Sequence, residues 1–216
     1  MIRNDKPRQL IVEGQDDLFA VVHLMQAHCQ WPREKELAPV LVVPAGGVEA
    51  ILEPGYLSAF IKMREIRSLG VVLDADQHSL ARYESLRHQC SPFFPCMPEA
   101  LPRDGLIVSG EDGKRFGVWI MPDNVSPGTL EVFLKFLVPD ESKALWEHAE
   151  ASVVEARKHG ATFKDSDLPK AQMHTLLAWQ DEPGQHFGVA ISRSVLDPKS
   201  AHAEPFVTWF KELYGL

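Results

Sequence analysis

Short apolar runs alternate with helical segments in the first 90 residues, and this alternation constrains the fold more than any other feature. The apolar runs have the length of single strands and cover residues 8–13, 40–43 and 69–73. The segments between and after them have helical character, at residues 16–29, 47–53, 56–67 and 77–90. Strands that are apolar on both faces and alternate with helices are typical of a mostly parallel sheet covered on both sides. The sequence therefore predicts an α/β fold.

The second half of the chain changes character after a predicted hairpin. Two strands near residues 106–109 and 116–121 flank Glu111-Asp112-Gly113-Lys114, and an Asp-Gly pair favours a tight hairpin turn, so we expect an antiparallel edge. From Gly128 onward the pattern is helical, at residues 129–138, 141–159, about 168–179 and 203–214. We predict an α/β domain over residues 1–138 and a helical C-terminal extension over residues 139–216 packed on it, or a single domain made of both.

Composition and charge argue against membrane-spanning, secreted and highly basic proteins. No apolar run approaches 18 residues, so no membrane span is expected, and residues 1–6 contain no signal-peptide segment. The three cysteines form no CxxC pair and indicate reduced thiols, which favours a cytoplasmic location. A net charge of −8 argues against a protein that coats nucleic acid through a general basic surface.

Acidic residues follow the ends of the predicted strands. Because the carboxyl ends of parallel strands lie along one edge of a sheet, we expect these side chains to converge there. Carboxylates two residues apart in extended chain, as in Asp74-Ala75-Asp76, lie about 6.5 Å apart and can approach one ion. Oxygen ligands of this kind favour Mg²⁺ (or Mn²⁺). Seven acids follow strand ends and account for seven of the eight net negative charges: Glu13, Asp16, Asp17, Asp74, Asp76, Asp123 and Glu131. Taken alone, each has a structural alternative as a turn former, a helix N-cap or a first-turn acid.

Two of these segments resemble the motifs of Toprim domains. Ile11-Val12-Glu13-Gly14-Gln15-Asp16-Asp17 resembles the first motif, a strand closing on Glu-Gly with an acid four positions after the Glu. Val71-Val72-Leu73-Asp74-Ala75-Asp76 resembles the second, an apolar strand followed by Asp-x-Asp. The resemblance is closest to the nucleases of the overcoming-lysogenization-defect type, and it implies a Toprim-like (Rossmann-like) sheet.

A second resemblance covers nearly the whole chain. Residues 116–131, from Phe116-Gly117-Val118-Trp119 to Glu131, together with residues 177–184, resemble a small bacterial Toprim-like family, DUF3226.

The Toprim resemblance implies roles for individual residues. The motif-one Glu, here Glu13, would act in proton transfer at the scissile phosphate. The Asp-x-Asp pair, Asp74 and Asp76, would bind divalent metal together with Asp17. Asp123 and Glu131 would support a second ion. The implied function is divalent-metal-dependent phosphodiester chemistry on DNA or RNA, of a nuclease-like kind.

Such a site also needs a cation near the phosphate. The sequence offers Lys114 or Arg115 on the predicted hairpin, and Gly46-Gly47 after the second strand as a phosphate cradle, although a tight strand-to-helix turn also accounts for these glycines. Nuclease-type Toprim domains often accompany an ATPase domain, so a separate protein partner of that kind is expected.

Three rival interpretations were weighed against this one. A receiver domain would need a late-strand Lys, which Val118-Trp119-Ile120-Met121-Pro122 lacks, and a haloacid-dehalogenase-type phosphatase would place Asp-x-Asp on its first strand. A non-catalytic Toprim-like protein that binds metal and nucleotide or nucleic acid in a regulatory role stays open, and the net acidity favours it.

Overall fold

A five-stranded sheet forms the centre of the molecule, in the strand order β2-β1-β3-β5-β4. The computed structural model describes residues 6–32 and 34–216, so the N-terminal residues examined for a signal peptide lie almost entirely outside the described part. The strands are β1 (Arg8–Val12), β2 (Leu41–Pro44), β3 (Ser68–Asp74), β4 (Leu106–Ser109) and β5 (Arg115–Met121). All neighbouring pairs are parallel except β4–β5, which is antiparallel and lies at one edge. The predicted α/β class, with a mostly parallel sheet and an antiparallel edge hairpin, is confirmed.

The helices agree with the sequence pattern at most positions. They are α1 (Gln15–Gln26), α2 (Val48–Leu52), α3 (Tyr56–Ile61), α4 (Ser79–Cys90), α5 (Leu130–Lys135), α6 (Lys143–Lys158), α7 (Leu168–Ala178), α8 (Phe187–Ser192) and α9 (Glu204–Tyr214). None of the helices in the described part of the chain is long and apolar enough to cross a membrane.

One shortened helix and one unpredicted helix have clear physical reasons. The helix expected over residues 56–67 ends at Ile61, because the next residues lead into β3 and the N–H of Arg67 already donates to the carbonyl of Pro7 at 2.7 Å. Helix α8 was not predicted, since six residues that include Gly188 are too few to show a helical period. It packs closely on α1, where an added methyl at Gly188 would lie 2.5 Å from the His23 ring.

Each face of the sheet is covered by its own hydrophobic core. Alternate strand residues point to opposite sides. Leu10, Val72 and Trp119 join one core, which also contains buried residues of α1 and of the helices after β5. Ile11 and Val71 join the other, formed with α2, α3 and α4. The helices after residue 139 therefore bury their apolar residues against the sheet itself.

Helix α9 lies directly on the central strands because two glycines leave room for it. Gly70 of β3 and Gly117 of β5 are paired in register, and Leu213 and Tyr214 of α9 pack over them. The Tyr214 hydroxyl donates to the Gln9 carbonyl at 2.7 Å. A methyl group at Gly70 would lie 2.5 Å from that hydroxyl oxygen, so only glycine fits here without movement of the helix.

Candidate functional site

The carboxyl ends of the parallel strands form an acidic cleft. Glu13 follows β1, Asp74 ends β3, and Asp17 and Glu131 lie in the first turns of α1 and α5. The cleft has a volume of about 350 Å³ and is lined by these four carboxylates together with Asp16, Gly14, Gly46, Gly47 and Lys170. The structure thus brings together Glu13, Asp17, Asp74 and Glu131, which the sequence singled out as separate strand-end acids.

Hydrogen bonds hold Glu13 and Asp17 in place, whereas one oxygen of Asp74 has no partner among the described residues. The Glu13 Oε1 atom accepts the N–H of Asp74 at 2.8 Å, which joins the ends of β1 and β3. The Asp17 Oδ2 atom accepts the N–H of Gly14 at 3.0 Å and caps α1, so Asp17 is only 8 % exposed. The Asp74 Oδ1 atom is buried and has no hydrogen-bond partner among the described residues. A buried anionic oxygen without a partner is costly, and this one faces a cleft made of other acids.

Burial and mutual repulsion raise the pKa values of these groups. Burial, followed by the charges of Asp17, Glu13 and Glu131, raises the pKa of Asp74 from 3.8 to about 9. Burial is also the main cause for Glu13, whose pKa rises from 4.5 to about 7, and for Asp17, whose pKa rises from 3.8 to about 6. Without a cation, the cleft therefore holds protons near neutral pH.

Asp76 lies at the rim of this cleft with a basic partner. Its backbone exchanges hydrogen bonds with Gly128 at 2.8 and 2.9 Å, and its φ of 50° places it in the left-handed region. Its carboxylate, in a side chain that is 52 % exposed, forms an ion pair of 2.5 Å with Arg82 in the first turn of α4. Burial is the main cause of the raised pKa of Glu13, and the positive charge of Arg82 partly opposes this rise. The sequence analysis did not identify Arg82. Its position six residues after Asp76 could have suggested it as a partner of that carboxylate.

Asp123 stabilises a turn. Its Oδ1 atom accepts the N–H groups of Val125 at 3.1 Å and of Ser126 at 2.7 Å, and its Oδ2 atom accepts the Ser126 hydroxyl at 2.9 Å. Asp123 is not among the residues that line the cleft. The structure therefore does not bring this predicted ligand to the other acids, and it corresponds to the turn-forming alternative.

The two cations predicted for the phosphate lie at the wrong end of the sheet. Arg115 is aligned with Ser68 at the start of β3, whereas Asp74 is aligned with Met121. Six strand steps separate these positions, which corresponds to about 20 Å. The Lys114 ammonium group is engaged there with the Ile61 carbonyl at 2.7 Å and with Asp112 at 3.0 Å. Neither side chain belongs to the acidic cleft.

Lys170 supplies the basic side chain that does line the cleft. It is exposed in the first turn of α7 and forms no ion pair with any acid in the described part of the chain. No local pattern could have identified it, because its position depends on how α7 packs against α5 and the sheet edge.

The two glycines of the proposed phosphate cradle have a structural role. Gly46 and Gly47 line the cleft, but their N–H groups donate to the Glu13 carbonyl at 2.9 and 3.0 Å. Their φ values of 91° and 123° are ones that other residues rarely adopt. These glycines therefore form a tight turn, and their amides are not free for a phosphate.

The fold and the cleft together define a class of protein: an α/β protein with buried carboxylates at the carboxyl edge of a mostly parallel sheet. The family model described as "Protein of unknown function (DUF3226)" matches residues 7–215, so the chain belongs to this family, as the sequence resemblance predicted. No curated protein and no solved structure matches the chain.

Proposed function

We propose that the chain binds Mg²⁺ or Mn²⁺ in the acidic cleft and performs phosphodiester chemistry on nucleic acid, as a nuclease-like protein with a Toprim-like fold. The observation that carries the proposal is the buried, unpartnered Asp74 Oδ1 atom among Glu13, Asp17 and Glu131. A divalent cation would give this oxygen a partner and remove the repulsion that raises the pKa values.

The donor set suits a cation that keeps part of its water shell. In the described residues, no group of three or more His, Cys, Asp or Glu side chains is arranged to hold an ion. Mg²⁺ is usually bound by only one or two carboxylates, with waters and substrate phosphate completing the shell. Asp74 would be the central ligand, and Asp17, Glu131 or Asp76 would supply a second carboxylate.

Side chains of the protein would supply proton transfer, phosphate binding and positioning of a ligand. Glu13 has a pKa of about 7, raised mainly by burial, so it can accept or donate a proton near neutral pH. Its hydrogen bond from the Asp74 N–H fixes its orientation. Lys170 would contact a phosphate oxygen from across the cleft, and Arg82 would hold Asp76 in place. A bound divalent cation would polarise the phosphate and stabilise the charge that develops on it.

The test is metal-dependent cutting. We would incubate supercoiled DNA, single-stranded DNA and RNA with the chain and Mg²⁺ or Mn²⁺, and compare wild type with Glu13→Gln and with Asp104→Asn, an exposed acid outside the cleft. Cutting that needs the metal, survives Asp104→Asn and is lost in Glu13→Gln supports the proposal. Metal-independent cutting, or no cutting of any of these substrates, contradicts it.

A non-catalytic, regulatory protein that binds metal and nucleotide is the second candidate. It is favoured by the surroundings of the cleft, because Lys170 is the one basic side chain among the described residues that line it, and the Gly46 and Gly47 amides are occupied. A metal-induced rise in melting temperature without cutting would select this candidate. A separate protein partner, such as an ATPase, stays a prediction in either case.

A further inference from the structure

The edge of the sheet opposite the acidic cleft is rich in basic side chains. We call it the amino edge and define it by the basic residues beside the starts of β1, β3 and β5: Arg8, Lys62, Arg64, Arg67, Lys114 and Arg115. Arg8 and Arg115 are both aligned with Ser68, on either side of β3. Neighbouring strands lie about 4.8 Å apart, so the backbones of the two arginines are about 10 Å apart. The Arg67 carbonyl accepts the N–H of Arg115 at 2.8 Å, which places Arg67 in the same row.

The arginines of this edge have no acidic partner among the described residues. Arg8, Arg64, Arg67 and Arg115 form no ion pair with any acid of the described residues. Acids near these residues in the described part of the chain include Glu65, Glu111 and Asp112, and Asp112 is paired with Lys114. In a chain of net charge −8, unpaired arginines gathered at one edge are a local positive surface.

A groove of about 300 Å³ opens at the same edge, next to Lys114. Its walls include Lys62, Phe93 and Lys114 together with the acids Glu111 and Asp112, and Asp112 is paired with Lys114. Phe93 is partly exposed, and the Lys62 ammonium group lies 5.7 Å from the centre of its ring. An aromatic ring in a small groove with a lysine beside it is an arrangement on which an unstacked base can pack.

We propose that the amino edge binds single-stranded nucleic acid, with phosphates on Arg8, Arg64, Arg67 and Arg115 and one base in the groove beside Phe93. The guanidinium fork matches phosphate oxygens. The groove favours nucleic acid over an acidic protein, because an acidic peptide has no flat ring to fill it. A base must leave its helix to enter the groove, so a single strand is favoured over a duplex.

This surface is separate from the acidic cleft. The two lie at opposite ends of the same strands, about 20 Å apart for six strand steps. Binding at the amino edge needs no metal and does not rest on the proposed function. The two proposals can therefore fail independently.

The experiment measures binding of a fluorescent 20-nucleotide oligothymidylate by anisotropy in EDTA, across a salt series. Arg64→Glu with Arg67→Glu changes two exposed arginines whose side chains contact no described residue by hydrogen bond or ion pair. The matched control is Arg103→Glu with Lys164→Glu, which makes the same charge change at two exposed residues whose side chains likewise contact no described residue by hydrogen bond or ion pair. We expect the arginine variant to lose at least about tenfold in affinity and to lower the salt slope by about 1.4, since each phosphate contact on a single strand contributes about 0.7. The control should bind within about twofold of wild type, since removal of distant charges changes only the screened long-range field.

A second variant tests the groove. Phe93→Ala should weaken binding about tenfold without changing the salt slope, because it removes stacking and no charge. If the double Glu variant does not fold, as judged by circular dichroism, Arg64→Gln with Arg67→Gln replaces it.

Three results would overturn the proposal. The first is no binding of wild type to the oligonucleotide in EDTA, and the second is a loss of affinity in the control as large as that in the arginine variant. Polyglutamate of similar length could also compete as well as the oligonucleotide, which would assign the surface to an acidic polypeptide. Glu13→Gln should bind normally in this assay, so a failure of cutting is distinguishable from a failure of binding.

Discussion

Asp74 combines two properties that are rarely found together in a side chain without a functional role. It ends a buried central strand, and one of its oxygens has no partner among the described residues. Burial first, and then the neighbouring acids, raise its pKa to about 9. A carboxylate in this environment either holds a proton or requires a cation.

Stability in the absence of metal should fall as pH rises. Because the pKa of Asp74 is raised on folding from 3.8 to about 9, the folded protein keeps a proton in this window that the unfolded chain has released. The contribution of Asp74 to the free energy of unfolding is complete below its unfolded pKa of 3.8 and is lost as pH rises through its folded pKa of about 9. Glu13 and Asp17, with pKa values raised mainly by burial to about 7 and about 6, act in the same direction.

Asp74→Asn should therefore stabilise the metal-free protein at pH 8. We expect its free energy of unfolding to rise by about 1–3 kcal/mol and to depend less on pH, because asparagine is buried without the proton uptake that Asp74 requires on folding above its unfolded pKa. Urea unfolding in EDTA from pH 5 to pH 9 measures both effects. Asp104→Asn, at an exposed site, is the control and should change neither. An Asp74→Asn protein less stable than wild type at pH 8 would contradict the assignment of a strained carboxylate.

Lys170 is the residue by which the proposed chemistry can be separated from metal binding. If it contacts the substrate phosphate, Lys170→Ala should lower kcat/KM for cutting about 100-fold, because a donor aimed at developing charge is lost. The metal-induced rise in melting temperature should remain, since Lys170 is not a metal ligand. Lys164→Ala, an exposed lysine preceding α7, is the control. Equal effects of the two substitutions would exclude this role for Lys170.

At the scale of elements, the edge hairpin and α9 are specified in different ways. The hairpin follows from a local turn signal, and the structure places Gly113 at φ 76° within it. The position of α9 follows from Gly70 and Gly117, whose missing side chains become meaningful only when the helix lies over them. In the strands themselves these glycines are unfavourable, because glycine loses more conformational freedom than other residues on folding.

Gly70→Ala should destabilise the protein by about 1–3 kcal/mol through overpacking. The new methyl would lie 2.5 Å from the Tyr214 hydroxyl oxygen and 2.7 Å from Leu10 Cδ1. Gly14→Ala is the matched control, since its methyl would lie 3.4 Å from the nearest atom. Thermal and urea unfolding would measure both variants. Similar stability for the two would mean that α9 adjusts freely, contrary to the packing described above.

At the scale of the whole molecule, the C-terminal helices and the sheet share one core. Phe206, Trp209 and Phe210 belong to the same hydrophobic cluster as Leu10 and Trp119. The Trp209 Nε1–H group donates to the Leu106 carbonyl at 3.0 Å inside this core. One face of the sheet therefore depends on the helices for its cover.

A chain of residues 1–138 should not fold cooperatively on its own. Removal of residues 139–216 would expose the apolar face that contains Leu10, Val72 and Trp119. We expect aggregation, binding of a hydrophobic dye and no sharp thermal transition by circular dichroism. A chain that ends at Tyr214 retains α9 and serves as the control. A soluble, cooperatively unfolding 1–138 fragment would establish it as an independent domain.

Charge is also organised at this scale. Acids lie at the carboxyl ends of the parallel strands, and arginines without an ion pair to any described residue lie at the starts of β1, β3 and β5. The net charge of −8 does not reveal this separation, because net charge carries no information about where the charged side chains lie. The prediction that the chain has no general basic surface is compatible with the local positive surface of the amino edge.

Sequence alone determined the features that depend on local patterns. The apolar runs and the helical spacing predicted the mostly parallel sheet, and the acids at strand ends predicted the convergence of Glu13, Asp17, Asp74 and Glu131. These inferences succeed because side-chain periodicity and the common edge of parallel strands are properties of neighbouring residues and of sheet geometry.

Only the tertiary structure decided which charged residues share a site. Lys170 reaches the cleft and Lys114 and Arg115 do not, although the hairpin pair is nearer in sequence to the acids at 74–76. Asp123 follows the end of a strand as Glu13 and Asp74 do, but its carboxylate oxygens accept hydrogen bonds within a turn. Such outcomes depend on how distant segments pack, and packing is set by the fit of whole helices against the sheet, which no local pattern of residues encodes.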